Sequence, residues 1–266
     1  MLPFHLYEKE RLFFPYTGLS DREIEMNETE AMMKHIQQAL ENEPRINPHR
    51  YPVKVSVVQD SVVMEGEVAD IAAKKLALEA ASAIVGTRGV VDRLRVVSSE
   101  RRGDGAIRNS FANFLLNTNE LRNCTIRAMS SSKLETLREA PPEGGGLIDF
   151  EVKDGIITLD GTVISLSHKR IAEVLAWWTP GCCNVVNSLD VAPSEEDTDY
   201  EVIDAVRLVL EMDPFVQPEQ IDVKCSNYVV TLQGYVRTAD ERRRAELDAW
   251  YVFAVTRVVN NLELLS

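Results

Sequence analysis

The chain has 266 residues, 45% of them apolar and 27% charged, with a formal net charge of −13. That composition is of a globular protein, long enough for one large domain or several small ones. The charge argues against nucleic acid and against non-specific attraction to anionic membranes. No run of 18 apolar residues occurs, so no transmembrane segment is expected. The N-terminus lacks an uninterrupted apolar core and a small-residue cleavage site, which predicts a cytoplasmic chain.

In chain order, residues 1–25 form an arm rich in aromatics (Phe4, Tyr7, Phe13, Phe14, Tyr16), expected to dock on its own chain or a neighbour. A helix follows, with Asn27 and Glu30 spaced as a capping box and Met32, Met33, Ile36 and Leu40 on its apolar face. Val53, Val55 and Val57 alternate as a strand. A turn at Gln59-Asp60 leads to a second strand with Val62, Met64, Gly66 and Val68 on one face. The next helix carries Ala77 and Ala81, and "VVDRLRV" ends the unit as a third strand.

The same order then recurs twice. "VMEGEV", "TLDGTV" and "TLQGYV" centre on Gly66, Gly161 and Gly234, and 26 residues after each glycine comes Asp92, Asn187 or Asn260. The alanine pair recurs as Ala172 and Ala176, then Ala245 and Ala249. Thr198 and Glu201 mark the start of the third unit's first helix, whereas the second unit's lacks a clear cap. The repeats are assigned as 26–97, 104–192 and 198–266, joined by polar linkers. Repeat 2 carries an inserted loop near 129–146, functional or mobile. The fold class expected is α+β: three tandem helix–strand–strand–helix–strand modules, each a three-stranded mixed sheet with two helices on one face. Glycines opposite the alanine pairs suggest close helix–sheet approach. Inward Asp92, Asn187 and Asn260 are expected to tie the last strand to a turn or helix end. One such group per unit falls far short of a cation's coordination shell.

On "TLDGTV", "TLQGYV", the Pro180-Gly181 pair and the terminal "VVNSL" and "VVNNL", the chain resembles the BON domain family over about 26–266. Repeat 1 departs most, with Glu65 beside its glycine and Asp92 for the asparagine. The resemblance implies a bacterial, non-catalytic binding or scaffold protein, related to osmotic stress or the envelope, that binds phospholipid or a protein partner. Many relatives are exported. Some cytoplasmic ones point to the alternative, a sensor of a small ligand or a potassium-like cation. No cofactor is implied.

The remaining residues give little chemistry. Cys182 and Cys225 align with valines of other repeats and read as small hydrophobes, and neither the cysteines nor His5, His35, His49 and His168 are spaced for a metal. No nucleophile or phosphate-loop motif occurs, so no catalytic site is expected. Candidate binding residues are aromatic and basic. Ile171, Leu175 and Trp178 make a second apolar face on the later helix of repeat 2, flanked by Trp177. The matching positions of repeat 3, Arg244, Asp248 and Tyr251, read as solvated, with Trp250 beside them. Such a face needs a cover, either another repeat, another subunit in a homo-oligomer, or lipid. Arg101 and Arg102, among Arg88, Arg93, Arg95 and Arg108, form a basic stretch suited to phosphate headgroups, an acidic partner or plain solvent.

Overall fold

The computed structural model describes residues 21–86, 89–98, 100–130, 133–141 and 144–265. Most of the arm and Arg88 lie outside them. Repeat 1 is built from α1 (Asp21–Asn42), β1 (Val53–Val58), β2 (Ser61–Val68), α2 (Ile71–Val85) and β3 (Val90–Val96). Because α1 is already helical at Asp21, Asn27 and Glu30 sit inside the helix instead of capping it. In the sheet β1 pairs antiparallel with β2, and β2 parallel with β3. Helix α2 makes the crossover that parallel pairing requires.

Repeat 3 has the same plan: α5 (Asp199–Met212), β9 (Ile221–Ser226), β10 (Val229–Val236), α6 (Ala239–Tyr251) and β11 (Arg257–Leu264). Thr198 caps α5 by accepting the Glu201 amide at 3.4 Å. Repeat 2 has α3 (Asp104–Asn117), β6 (Gly146–Lys153), β7 (Ile156–Val163), α4 (Leu166–Trp178) and β8 (Asn184–Val191). It is larger than expected. The segment read as a loop builds an extra hairpin, β4 (Cys124–Ser130) and β5 (Lys133–Arg138), giving a five-stranded sheet ordered β5-β4-β6-β7-β8. Cys124, Ile126 and Ala128 are buried on the core face of β4, so the insertion is held by packing as well as by pairing to β6.

The hairpin turns use residues with positive φ, namely Gln59-Asp60, Asp154-Gly155 and Asn227-Tyr228. Two are clamped by a helix-start carboxylate. Asp104 accepts the amides of Asp154 and Gly155, and Asp199 those of Asn227 and Tyr228, all at 2.9 Å. The paired alanines of α2, α4 and α6 are wholly buried.

The glycines have another reason than the one expected. Gly66, Gly161 and Gly234 have φ of 144°, 121° and 119°, a region side chains avoid. A Cβ there would strike the carbonyl oxygens of Pro52, Leu147 and Gln220 across the hairpin, not the helix. They are required by the backbone of the hairpin, where the paired strand comes too close for a side chain, rather than by a close helix crossing.

Each repeat touches both others. Between repeats 1 and 2, the Val96 amide bonds the Cys183 carbonyl at 2.8 Å. Between repeats 1 and 3, the Lys75 ammonium donates to the carbonyls of Val252 (2.8 Å) and Val255 (3.1 Å) beyond the end of α6. Between repeats 2 and 3, buried Arg170 bonds Asp197 and the Glu201 carbonyl, with its guanidinium 5.1 Å from the Phe253 ring centre. Helix α6 is central, contacting α2, α4 and α5.

Candidate binding groove between repeats 2 and 3

The central place of α6 decides the fate of the aromatic candidates. Trp250 is 1% exposed and belongs to the core, so it offers no binding surface. Its counterpart Trp177 is only half-buried and lines the groove described below. Ile171 and Leu175 are also core residues, and Leu208 and Met212 of α5 pack on the same cluster. The second apolar face of α4 is therefore covered by repeat 3.

Trp178 reaches the seam itself. Its indole N–H donates to Asp248 Oδ1 on α6 at 3.2 Å. Asp248, expected in solvent, is 3% exposed. The position aligned with Leu175 has become a buried acid because Trp178 of the neighbouring repeat closes over it. Burial, reinforced by the nearby carboxyl of Asp213, pushes the Asp248 carboxyl up to about 8. Asp248 Oδ2 is buried and meets no donor.

Around this acid lies a groove of about 530 Å3. Five aromatic side chains line it, Trp177 and Trp178 from α4, Tyr251 from α6, Phe114 from α3 and Phe215 from the α5–β9 connection. Trp177 and Tyr251 stack across the repeats with ring centres 6.3 Å apart. Phe114 and Phe215 remain 36% and 66% exposed. The polar lining is one cation and two acids. Arg244 lies with its guanidinium 4.5 Å from the Phe215 ring centre and 3.7 Å from Asp213 Oδ2. Phe114, Phe215 and Asp213 were not singled out from sequence and Asp248 was read as solvated; the four come from α3, α6 and the α5–β9 connection. The one available signal was an aspartate where another repeat has a buried leucine.

The basic candidates lie elsewhere. Arg101 and Arg102 line a separate cleft of about 500 Å3 between repeats 1 and 2, with Arg95, Glu67 and Asp104. Arg102 pairs with Glu100 at 2.6 Å, and Arg95 bonds the Asp154 carbonyl at 3.2 Å. Charges of both signs line that cleft.

The polar residues at the recurring offset serve the frame. Asn187 Nδ2 donates to the Lys169 carbonyl (3.1 Å) and to Glu173 (2.9 Å), and Asn260 to the Arg242 carbonyl (3.1 Å) and Glu246 (2.8 Å). The thiols are raised rather than activated, Cys182 to about 12 by burial and Cys225 to about 11 by burial and the adjacent Asp199. Among the described residues no group of three or more His, Cys, Asp or Glu side chains is placed to hold a metal ion, and no helix is long and apolar enough to cross a membrane.

The sequence profile of the BON domain matches residues 30–98, 125–193 and 198–266. The chain belongs to the BON domain family. The match to the second BON domain begins inside β4, so α3 stands before it, while those to the first and third include most or all of the leading helix. No curated protein matches the chain. Among solved structures, the C-terminal domain of CdsD, a structural protein of the type III secretion system of Chlamydia trachomatis, is similar at 16% identity, covering 88% of this chain and 98% of that one with a TM-score of 0.23. A second CdsD structure matches at 16% identity over 88% and 92% of the two chains, with the same TM-score of 0.23.

Proposed function

We propose that the chain is a non-catalytic binding protein in which three BON modules form one frame, and that the groove between repeats 2 and 3 is its contact surface for a protein partner. BON domains are generally binding modules, in proteins related to stress or the envelope. The observation that carries the reading is the groove's aromatic lining. Phe114 and Phe215 stay exposed beside Trp177, Trp178 and Tyr251, although the surrounding core had room to bury others of their kind. Of the two partner classes the family implies, a protein suits the groove better than a phospholipid surface. The acid Asp213 in its lining and the net charge of −13 both oppose phosphate headgroups.

The test is a photo-crosslinking residue at Phe215, with the same residue at Asn261 on the open sheet face as control. Adducts with a protein at position 215 and not at 261 support the reading. Absence of adducts at 215, together with flotation of the purified chain on anionic vesicles, would replace the protein partner by a lipid surface.

A further inference from the structure

We propose that the groove receives a lysine side chain of the partner, its stem against the aromatic walls and its ammonium at the Asp213–Asp248 pair. The inference rests on the reading of the groove as the contact surface and names the chemistry that surface recognises.

Three observations favour a cation. The groove's two acids face a single resident cation, Arg244, whose guanidinium already lies over one ring and beside one acid. This is the arrangement in which aromatic faces and carboxylates together hold positive charge. Asp248 is 3% exposed and its Oδ2 meets no nitrogen donor, its neighbour there being the carboxyl of Asp213, so once ionised it holds an acceptor that no resident group satisfies. Finally, the chain's −13 charge steers cationic segments towards it.

The same geometry selects lysine over arginine and over a metal ion. Asp248 Oδ1 is taken by the Trp178 indole, so only one oxygen of that carboxyl remains. A guanidinium fork gains most from two parallel acceptors, whereas an ammonium is a compact charge that a single oxygen can serve. For a metal ion the groove offers only two carboxyls and the Tyr251 hydroxyl, and among the described residues no group of three or more His, Cys, Asp or Glu side chains is placed to hold one.

Binding is then coupled to a proton. The groups facing Asp248 are Asp213 at the end of α5, Arg244 and Tyr251 on α6, and the Trp178 indole on α4. Burial keeps Asp248 protonated until about pH 8, and an arriving ammonium favours its carboxylate. Affinity therefore rises with pH, by up to about tenfold per unit between pH 6 and 8, and levels off above.

The experiment titrates the full chain with Nα-acetyl-lysine amide at constant ionic strength, following tryptophan fluorescence. Controls are the Nε-acetylated form, which keeps the stem and loses the charge, and Nα-acetyl-arginine amide. We expect a saturable response to the lysine probe, at least about tenfold weaker for the acetylated one, and a rise in affinity from pH 6 to 8 that Asp248→Asn abolishes. Equal binding of the charged and acetylated probes, or unchanged pH dependence in Asp248→Asn, overturns the proposal. Equal binding of the arginine probe overturns the choice of lysine. Crosslinking at Phe215 is read independently. If it persists while the lysine probe fails, only the lysine assignment falls, and the groove remains the contact surface.

Discussion

The Lys74 ammonium lies 2.6 Å from Asp92 Oδ2 at the place where the other repeats join an asparagine to a glutamate. The tie between last strand and second helix is thus kept while its charges move. In repeats 2 and 3 the acid is on the helix, as Glu173 and Glu246; in repeat 1 it is on the strand, and the helix answers with Lys74. The same ammonium also bonds the Leu94 carbonyl at 2.6 Å.

Lys74 is 4% exposed, so removing its partner leaves a buried charge. Asp92→Ala should cost about 3 kcal/mol. Asn187→Ala, which removes part-buried bonds made by an uncharged donor, should cost about 1–2 kcal/mol. Denaturant midpoints of the two variants decide the order, and a reversed order would mean that Lys74 finds other solvation.

Gly234→Ala should destabilise repeat 3 by about 2–4 kcal/mol, from strain at positive φ and collision with the Gln220 carbonyl. Adding Ala249→Gly, which makes room on the helix side, should restore nothing. Recovery in the double variant would return the cause to the helix crossing.

Asp248→Asn should stabilise the chain near neutrality. The folded value of about 8 lies above the ordinary 3.8, so the folded state holds a proton that the unfolded state releases. The native contribution is complete below about pH 4 and is lost as pH rises towards 8. An amide removes that loss, worth about 2–4 kcal/mol at pH 7. Unfolding curves of both proteins from pH 4 to 9 should coincide at the acid end and separate steadily. A constant separation would contradict a buried titrating acid.

Lys75→Met should free repeat 1 from repeat 3, costing about 2–3 kcal/mol as buried carbonyls lose their donor. Its own titration has the opposite sign to that of Asp248. The folded value of about 8 lies below 10.5, so burial of the charged form costs stability below pH 8, and the cost fades towards 10.5. Differential scanning calorimetry should resolve two transitions in the variant where the parent has one. A single transition at the parental temperature would assign the contact no energetic role.

Local order was legible in the sequence because it is periodic. Alternation gave the hairpins, the alanine pairs gave the sheet-facing helix sides, and Gly161 and Gly234 gave the register. The extra strands of repeat 2 were not legible. Cys124, Ile126 and Ala128 alternate too briefly, between polar residues, to stand out from a loop. The groove was half legible. Trp177, Trp178 and Tyr251 stand out as aromatic, but whether each is buried depends on which neighbour lies over it. That is why Trp250 vanished into the core and Asp248 came out of solvent, both settled by contacts between repeats rather than by spacing along one helix.

The bond from Lys75 to Val252 joins residues 177 apart in sequence. Arrays of like units commonly contact only their neighbours, and they lose structure from whichever end frays first. Here the first and third units are fastened to each other, so neither of them can fray without breaking a contact with the other. That contact can form only after the segment following α6 has been made, because its carbonyls hold the lysine of the first unit. Loop closure over such a span is slow. The same closure makes loss of any single unit a loss felt by the other two.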